Sequence, residues 1–243
     1  MPVSDALLAH LEDLKNKCEM WHKPQASQFF NEEEQAEIIK VYTPSKFIRY
    51  DGGYENARKK KVIFLFDEED DFSDVVCLEA RIDQRFRKIG HRDILGALMS
   101  LQIDRGSFGD FWVHDDKIYL YTSKSMSPFL IDNLTRINQL SVTFKECDDK
   151  PSQEFKYKGI EVVVASERLD AIVAGITHLS RAKAKELITS NLVQINNMVV
   201  EEPEILCHNN NIISIRGYGR FVYAGVKKET RHDRKLILLK QSI

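Results

Sequence analysis

The feature of this sequence that most constrains its fold is the order of strand and helix patterns across residues 75–144. Residues 75–82 alternate as a strand does, residues 92–101 repeat apolar side chains at helical spacing, and Asp115-Asp116 indicates a hairpin turn. The remaining predicted elements are strands at 108–114, 117–122 and 141–145 and a helix at 128–140. The resulting βαββαβ order is that of the split βαβ, or ferredoxin-like, arrangement.

The same order is typical of RRM folds, although the sequence signature with which RRM domains stack on RNA is missing. Tyr119 and Tyr121 share one face of a predicted strand, where they could stack on RNA bases. Ordinary packing within the sheet is the other interpretation. The order of elements therefore supports an architecture and, by itself, no function.

Patterns on either side of this region predict two further domains, and the chain as a whole is α+β. Asn31 and Glu34 are placed to form a capping box at the start of a helix, and residues 61–66 form a short apolar strand. A polar linker at 148–157 precedes a further apolar strand at 160–165. We therefore predict a mostly helical domain at 1–74, an RRM-like domain at 75–165 and a small domain at 166–243.

Composition excludes several classes of protein. No stretch approaches 18 consecutive apolar residues, so no membrane-spanning helix is expected, and residues 1–10 lack the pattern of a signal peptide. The seven histidines are scattered without metal-ligand spacing, and no glycine-rich cofactor loop is present. The four cysteines lie far apart, as reduced and mostly buried thiols do: Cys18, Cys77, Cys147 and Cys207. We expect a cytoplasmic protein with no metal and no cofactor.

The net charge of −2 hides an asymmetry along the chain. From Ser166 onward there are 12 Lys and Arg against 8 Asp and Glu, whereas the preceding residues carry 23 against 29. A basic C-terminal module on an acidic body favours a polyanionic partner. Small charge imbalances between domains are also common, so this observation needs support from motifs.

The segment 166–200 carries the most specific local signals. Ser180 is well placed to cap the second of two short helices, which is predicted to end near Thr189. Asn191 then lies where the end of a helix requires a left-handed residue, and Asn196-Asn197 forms a turn after a strand. Two short helices followed by strands are therefore expected.

Basic side chains surround the predicted start of this second helix. Arg181 and Lys185 are four residues apart and point the same way. Backbone N–H groups at a helix N-terminus favour phosphate, and a guanidinium adds a planar set of donors. Farther along, residues 216–221 mix Arg216 and Arg220 with aromatic and glycine residues, which suits RNA contact. Each cluster alone is more often a solvated face, but their combination favours RNA binding.

The C-terminal segment resembles the alpha-L RNA-binding motif. The matching pieces are R-L-D at 168–170, S-R-x-x-A at 180–184 and L-V-Q-I-N-N at 192–197. Members of that family usually carry Gly where this chain has Asn191 and Asn197, and Asn tolerates the same backbone region. The resemblance implies a small RNA-binding domain at the C-terminal end of the chain.

Four further motifs resemble the YlmH family over nearly the whole length from about residue 25. They are G-G-Y-E-N-A-R at 52–58, H-R-D-I-L-G-A-L at 91–98, R-G-S-F-G-D at 105–110 and I-R-G-Y-G-R-F at 215–221. This resemblance implies a non-enzymatic factor that binds the large ribosomal subunit in ribosome quality control. Such factors hold a peptidyl-tRNA on a split subunit while alanine is added to the stalled chain.

Two other functions remain open at this stage. Arg168-Leu169-Asp170 also resembles the sequence around the catalytic Asp of pseudouridine synthases, so an RNA-modifying enzyme with a reduced catalytic domain is one alternative. We expect Asp170 to be structural, because no large catalytic domain follows it. A cell-division scaffold whose RNA binding is secondary is the other alternative, since an older family label connects these proteins with cell division.

From these motifs we predict two contact surfaces on a monomeric protein with no membrane partner. Ribosomal RNA and tRNA phosphates are expected to contact Arg168, Ser180, Arg181, Lys183, Lys185, Asn196, Arg216 and Arg220. A second contact surface is predicted at Tyr54, Arg58, His91 and Arg92. No catalytic residue is predicted.

Overall fold

The computed structural model describes residues 4–83, 85, 88–153, 157–229 and 234–242. Mixed helices and antiparallel sheets confirm the predicted α+β class. The chain divides into two compact units, residues 1–153 and 154–243, where the sequence predicted three domains. Of the predicted linker, residues 154–156 lie outside the described part.

The N-terminal part of the first unit packs two helices with a three-stranded sheet. Its elements are α1 (Asp5–Trp21), β1 (Gln25–Phe30), α2 (Glu32–Val41), β2 (Ile48–Asp51) and β3 (Lys60–Phe64). The antiparallel sheet has the order β1-β3-β2. The predicted capping box is confirmed, since the Asn31 side chain accepts from the backbone of Glu34 at 3.0 Å and Glu34 accepts from the backbone of Asn31 at 2.7 Å. Strand β1 was not predicted.

The remainder of the first unit follows the predicted order of elements up to its second helix. These elements are β4 (Val75–Arg81), α3 (His91–Ser100), a 3₁₀ turn (Arg105–Ser107), β5 (Phe108–His114), β6 (Lys117–Ser123), α4 (Ser127–Asn133), β7 (Arg136–Ile137), β8 (Leu140–Ser141) and β9 (Lys145–Glu146). The antiparallel sheet has the order β5-β6-β4-β9, so the hairpin β5–β6 lies beside the first strand, and the last strand pairs on the other side of that strand.

The predicted helix at 128–140 and strand at 141–145 are wrong in part. Helix α4 ends at Asn133, and residues 136–141 form the small hairpin β7–β8 instead. Asn138 supplies the left-handed residue of that turn, with a φ of 55°. Apolar side chains such as Ile137 and Leu140 fit both a helical and a strand period over so short a stretch, which explains the error.

The two faces of the four-stranded sheet are both covered. One face packs on α3 and α4 through buried apolar side chains that include Leu78, Leu98 and Leu130. On the other face, Tyr121 is fully buried against Phe29 and donates its hydroxyl to the carbonyl of Pro151 at 2.7 Å. Tyr121 therefore packs within the protein, as one of the two interpretations of Tyr119 and Tyr121 proposed, and is not available for stacking on RNA bases.

The second unit contains two helices and one six-stranded antiparallel sheet. Its elements are β10 (Tyr157–Val164), α5 (Leu169–Thr177), α6 (Arg181–Thr189), β11 (Val193–Ile195), β12 (Met198–Val199), β13 (Ile212–Ile215), β14 (Gly219–Glu229) and β15 (Lys235–Ser242). The strand order is β10-β15-β14-β13-β11-β12. Strand β10 pairs with β15 along its whole length, so the strand predicted at 160–165 belongs to this unit and the predicted boundary at 165 is wrong. Strand β10 contributes Val162 and Val164 to the hydrophobic core of this unit.

The local signals in this unit are confirmed. The Ser180 hydroxyl caps α6 by accepting from the backbone of Lys183 at 3.3 Å. Asn191, Asn196 and Asn197 all have left-handed φ angles, of 60°, 51° and 65°. In the described part of the chain, the helices are all too short or too polar to cross a bilayer.

Candidate nucleic-acid interface

A buried carboxylate organises the predicted basic surface of the second unit. Asp170, in the first turn of α5, is fully buried and faces the N-terminal end of α6. Both of its oxygens accept from the Arg181 guanidinium at 2.9 Å, and both accept from Arg168 at 3.2 Å. The two helices are therefore joined by a shared ion pair, and the structural role predicted for Asp170 agrees with this geometry.

Two further charges complete this cluster. The Lys185 ammonium lies 3.9 Å from both Asp170 and Glu204, and Arg168 also donates to Glu204 at 2.5 Å. Burial raises the pKa of Asp170, but hydrogen bonds and charge from Arg168 and Arg181 outweigh it and hold the pKa below its ordinary value. Three cations thus share two ionised carboxylates, which leaves one positive charge in excess.

The cations remain accessible although they are paired. About half of the Arg181 and Lys185 side chains is exposed, at 48% and 46%. Lys183, in the first turn of α6, is exposed, and its side chain forms no hydrogen bond or ion pair with the described residues. The N-terminal turn of α6 therefore combines free backbone donors with three cationic side chains, a combination that favours anions.

The remaining predicted residues of this unit lie on its hairpins. Asn196 uses its side-chain oxygen to accept from the backbone of Ile212 at 2.9 Å, so its role is to close a turn. Arg216 is exposed in the turn between β13 and β14, and its backbone donates to Leu192 at 2.9 Å, just beyond the end of α6. Arg220 lies on β14 opposite Ser214. Arg168, Arg181 and Lys185 form one cluster around Asp170, whereas Arg216 and Arg220 lie on the hairpin β13–β14.

The second predicted surface is a pocket in the first unit. Three motifs that are far apart in sequence meet there, through Arg58, His91 and the segment 105–111. Strand β1 and the start of α2 supply the other wall. The cavity has a volume of about 360 Å³ and is lined by Gln28, Phe29, Asn31, Glu34, Arg58, Lys59, His91, Leu95, Arg105, Gly106, Phe108, Gly109, Asp110, Phe111 and Gln153.

Asp110 holds one side of this pocket together. Its carboxylate accepts from the Tyr54 hydroxyl at 2.8 Å and from the backbone N–H groups of Arg58 and Lys59 at 2.6 and 3.2 Å. Burial raises the pKa of Asp110, and these hydrogen bonds offset only part of the increase. The side chain therefore fastens the loop before β3 onto strand β5.

Two cationic or titratable groups lie in the pocket wall. The Lys59 ammonium donates to the carbonyl oxygens of Arg105 and Phe108 at 2.5 and 2.6 Å, and burial followed by repulsion from Arg105 lowers its pKa to about 8. The His91 ring stacks on Phe111 with 4.2 Å between centroids. Burial and the charge of Arg58 lower the pKa of His91 against the opposing effect of Asp110.

The structure separates Arg92 from its predicted partners. Arg92 is exposed on α3 in a different surface depression, beside Asp93 and Arg136. Tyr54 is not among the residues that line the pocket, but its hydroxyl donates to the lining residue Asp110. Sequence reasoning missed Gln28 and Lys59, for which no motif exists, and Arg105, which the R-G-S-F-G-D motif contains. Among the described residues, no group of three or more metal-ligating side chains is close enough to hold a metal ion.

Comparison with known proteins adds three findings. Residues 67–150 match the family model described as "Putative RNA-binding domain in YlmH". The ribosome-associated protein quality control protein P2 of Bacillus subtilis is 29% identical over 195 residues, which cover 77% of this chain and 75% of that protein. The solved cell division protein YlmH of Streptococcus pneumoniae aligns with 60% of this chain and 94% of its own at a TM-score of 0.44 and 18% identity.

Proposed function

Because this chain is a member of the YlmH family, we propose that it is an RNA-binding factor of ribosome-associated quality control. In this proposal it binds the large ribosomal subunit through ribosomal RNA and contacts the peptidyl-tRNA retained there. It thereby supports the addition of alanine to stalled nascent chains. The name of the Bacillus subtilis relative supports the ribosomal role, and the family model supports RNA contact by residues 67–150.

The observation that carries this proposal is the cation cluster around the buried Asp170. Arg168, Arg181 and Lys185 are held by contacts to two carboxylates, so the cluster is oriented before any RNA arrives. A phosphate at the N-terminal turn of α6 would meet backbone N–H groups together with the free ammonium of Lys183. Pre-ordered donors lose little side-chain entropy on binding, which favours a specific docking surface.

The two units have different roles in this proposal. The second unit acts as an alpha-L RNA-binding domain, because its paired helices carry the matching motif. Residues 75–146 act as an RRM-like domain that provides a further RNA contact, and the match of residues 67–150 to a putative RNA-binding domain supports that contact. Since the outer face of its sheet is covered around Tyr121, we propose that this contact lies elsewhere in the first unit.

We also propose that the protein is a cytoplasmic monomer that binds and does not catalyse. Asp170 is the residue that resembles a pseudouridine synthase nucleophile. It is fully buried, and Arg168 and Arg181 occupy both of its oxygens. A carboxylate in that position is not available to attack a base, which argues against the RNA-modifying alternative.

Co-sedimentation with purified large and small ribosomal subunits over a salt series tests this function. Wild type is expected to bind the large subunit, with an affinity that falls steeply as salt increases. The variant Lys183→Ala/Arg216→Ala should bind several-fold more weakly and with a shallower salt dependence, because each phosphate contact contributes about one to the slope. These two side chains are chosen because neither forms a hydrogen bond or an ion pair with the residues that the structure describes.

Lys240→Ala is the matched control, since Lys240 is an exposed lysine of the same unit on β15. Its binding should equal that of wild type. Loss of binding in the control to the same extent would show that overall charge, not the α6 surface, governs the interaction. Binding of wild type to neither subunit would reject the ribosomal proposal.

A further inference from the structure

The pocket of the first unit is built by several segments that are far apart in the chain. Strand β1 supplies Gln28, the loop before β3 supplies Arg58 and Lys59, and residues 105–111 supply the floor. Its volume of about 360 Å³ lies within the usual range for small-ligand sites. Residues from three of the four YlmH-like motifs line this pocket. None of the residues that line it belongs to the docking surface proposed for the second unit.

The segment at 105–110 is shaped to let strand β1 come close. A Cβ atom on Gly106 would lie 2.9 Å from the Gln28 side chain, and one on Gly109 would lie 2.8 Å from the Phe29 ring. On the opposite wall, Asp110 accepts hydrogen bonds from the backbone N–H groups of Arg58 and Lys59 and so holds that loop in place. The two glycines and the buried carboxylate thus hold the pocket walls in place, so the cavity does not depend on loosely packed loops.

The chemistry of the lining is that of a nucleotide site. Arg58, Lys59 and Arg105 place three cations around the cavity, against the carboxylates of Glu34 and Asp110. Asp110 already accepts three hydrogen bonds, and within the described residues it forms no hydrogen bond or ion pair with the Arg105 guanidinium. The Arg105 side chain is exposed and forms no hydrogen bond of its own within the described residues. Burial lowers the pKa of Lys59, repulsion from Arg105 adds a smaller decrease, and a bound anion would oppose both effects.

Planar and amide groups complement these cations. The imidazole of His91 stacks on Phe111 at the pocket and presents its other face as a platform for a planar ring. Gln28 is exposed, and its carboxamide has no hydrogen-bond partner among the described residues. A carboxamide can donate and accept at once, which matches the edge of a nucleobase.

We propose that this pocket binds one nucleoside monophosphate group, with the phosphate at Arg58 and Arg105 and the base against His91 and Gln28. The ligand is either a free nucleotide or one nucleotide of an RNA strand, since the two present the same chemistry. Binding of a nucleotide within an RNA strand rests on the proposed function and would give the first unit its own RNA contact. Guanidinium pairs bind phosphate in a planar, two-point manner, and aromatic rings bind bases without a strict sequence requirement.

Isothermal titration calorimetry with the whole 243-residue chain tests this inference. The probes are the four nucleoside 5′-monophosphates and an eight-nucleotide single-stranded RNA of mixed sequence. Wild type should bind at least one of these probes. Arg105→Ala and His91→Ala should each weaken binding by about tenfold or more, the scale of one charge-assisted hydrogen bond or one stacking contact.

Arg136→Ala is the matched control, because Arg136 is an exposed arginine of the same unit outside this pocket. Its affinity should stay within about twofold of wild type, as for a surface charge that contributes only general attraction. Monophosphates that bind as tightly as the oligonucleotide would identify a free nucleotide as the ligand. An oligonucleotide that binds far more tightly, and loses this affinity in Arg105→Ala, would identify a strand nucleotide.

Either of two results would overturn the inference: no measurable binding of any probe at millimolar concentration, or equal losses in Arg105→Ala and Arg136→Ala. Folding of each variant is checked through the fluorescence of Trp112, which packs behind the pocket beside Tyr54. Co-sedimentation of the same variants with ribosomal subunits separates the two proposals. If the α6 surface binds the subunit while the pocket binds no nucleotide, only the inference fails.

Discussion

The two units each contain a buried aspartate, and the two side chains are satisfied in opposite ways. Asp170 is paired with the guanidinium groups of Arg168 and Arg181, and its pKa is lowered. Asp110 accepts from a phenol and two backbone amides, and its pKa is raised. Charged partners stabilise the ionised form of a carboxyl group more than neutral donors do. This explains why burial determines the direction of the pKa shift at Asp110 but not at Asp170.

This difference separates two ways of building a polar surface. In the second unit the buried carboxylate of Asp170 orients the neighbouring cations and also neutralises part of their positive charge. In the first unit the buried charge orients the backbone and leaves the neighbouring Arg105 side chain exposed. Arg181 is therefore a structural residue as well as a candidate phosphate ligand. Removing it tests stability and binding together.

The largest expected effect follows from removing both guanidinium partners of Asp170. Arg168→Ala/Arg181→Ala leaves a fully buried carboxylate with only Lys185, at 3.9 Å. Breaking a fully buried ion pair costs about 3–5 kcal/mol, and because both guanidinium groups are partly exposed to solvent, we expect a loss of roughly 3 kcal/mol in the free energy of unfolding. Because Trp21 and Trp112 both lie in the first unit, amide hydrogen exchange of residues 169–177 in urea is the suitable measurement.

Adding Asp170→Asn to that double variant provides its control. An amide carries no charge, so it needs no cation, and much of the lost stability should return. If the double variant instead matched wild type, the contacts of Asp170 would be too weak to join the two helices.

A smaller effect is expected at Asp110. Asp110→Ala leaves the Tyr54 hydroxyl and two backbone N–H groups without their acceptor. Water from the adjoining cavity can accept some of these hydrogen bonds instead. We expect the free energy of unfolding of the first unit to fall by about 2–3 kcal/mol. Urea titration followed by Trp112 fluorescence measures this change. Asp104→Ala, at an exposed position, should change it by less than about 0.5 kcal/mol.

Much of the local structure follows from signals carried by neighbouring residues. Ser180 and Asn31 cap the helices that their sequences predict, because a cap depends only on the next three residues. Asn191 adopts the left-handed conformation that the end of a helix requires. The order of strands and helices before residue 134 was likewise predictable, since each element has its own hydrophobic period.

The features that define the candidate sites depend on distant parts of the chain. The partner of Arg181 is Asp170 in another helix, and Glu204 joins them from a later loop. The pocket combines Gln28 of the unpredicted strand β1 with Arg105, a pairing that no periodicity records. The sequence supplied motifs for several of these positions, but only tertiary packing determines which side chains meet and which are neutralised.

The pH dependence of stability should distinguish the two aspartates, because their pKa values are shifted in opposite directions by folding. For Asp170 the folded pKa lies below the unfolded value. Its contribution is therefore complete above pH 4 or so and is lost as the pH falls through the folded pKa. Wild type should accordingly lose its stability advantage over Asp170→Asn as the solution is acidified.

The opposite sign applies to Asp110, whose folded pKa lies above the unfolded value. The folded state then binds the proton more tightly, so wild type should gain stability relative to Asp110→Asn as the pH falls through that folded pKa. Urea titrations between pH 3 and 7 measure both differences, with hydrogen exchange for the second unit and fluorescence for the first. Two differences that change in the same direction would mean that the distinction between charged and neutral partners does not control these carboxylates.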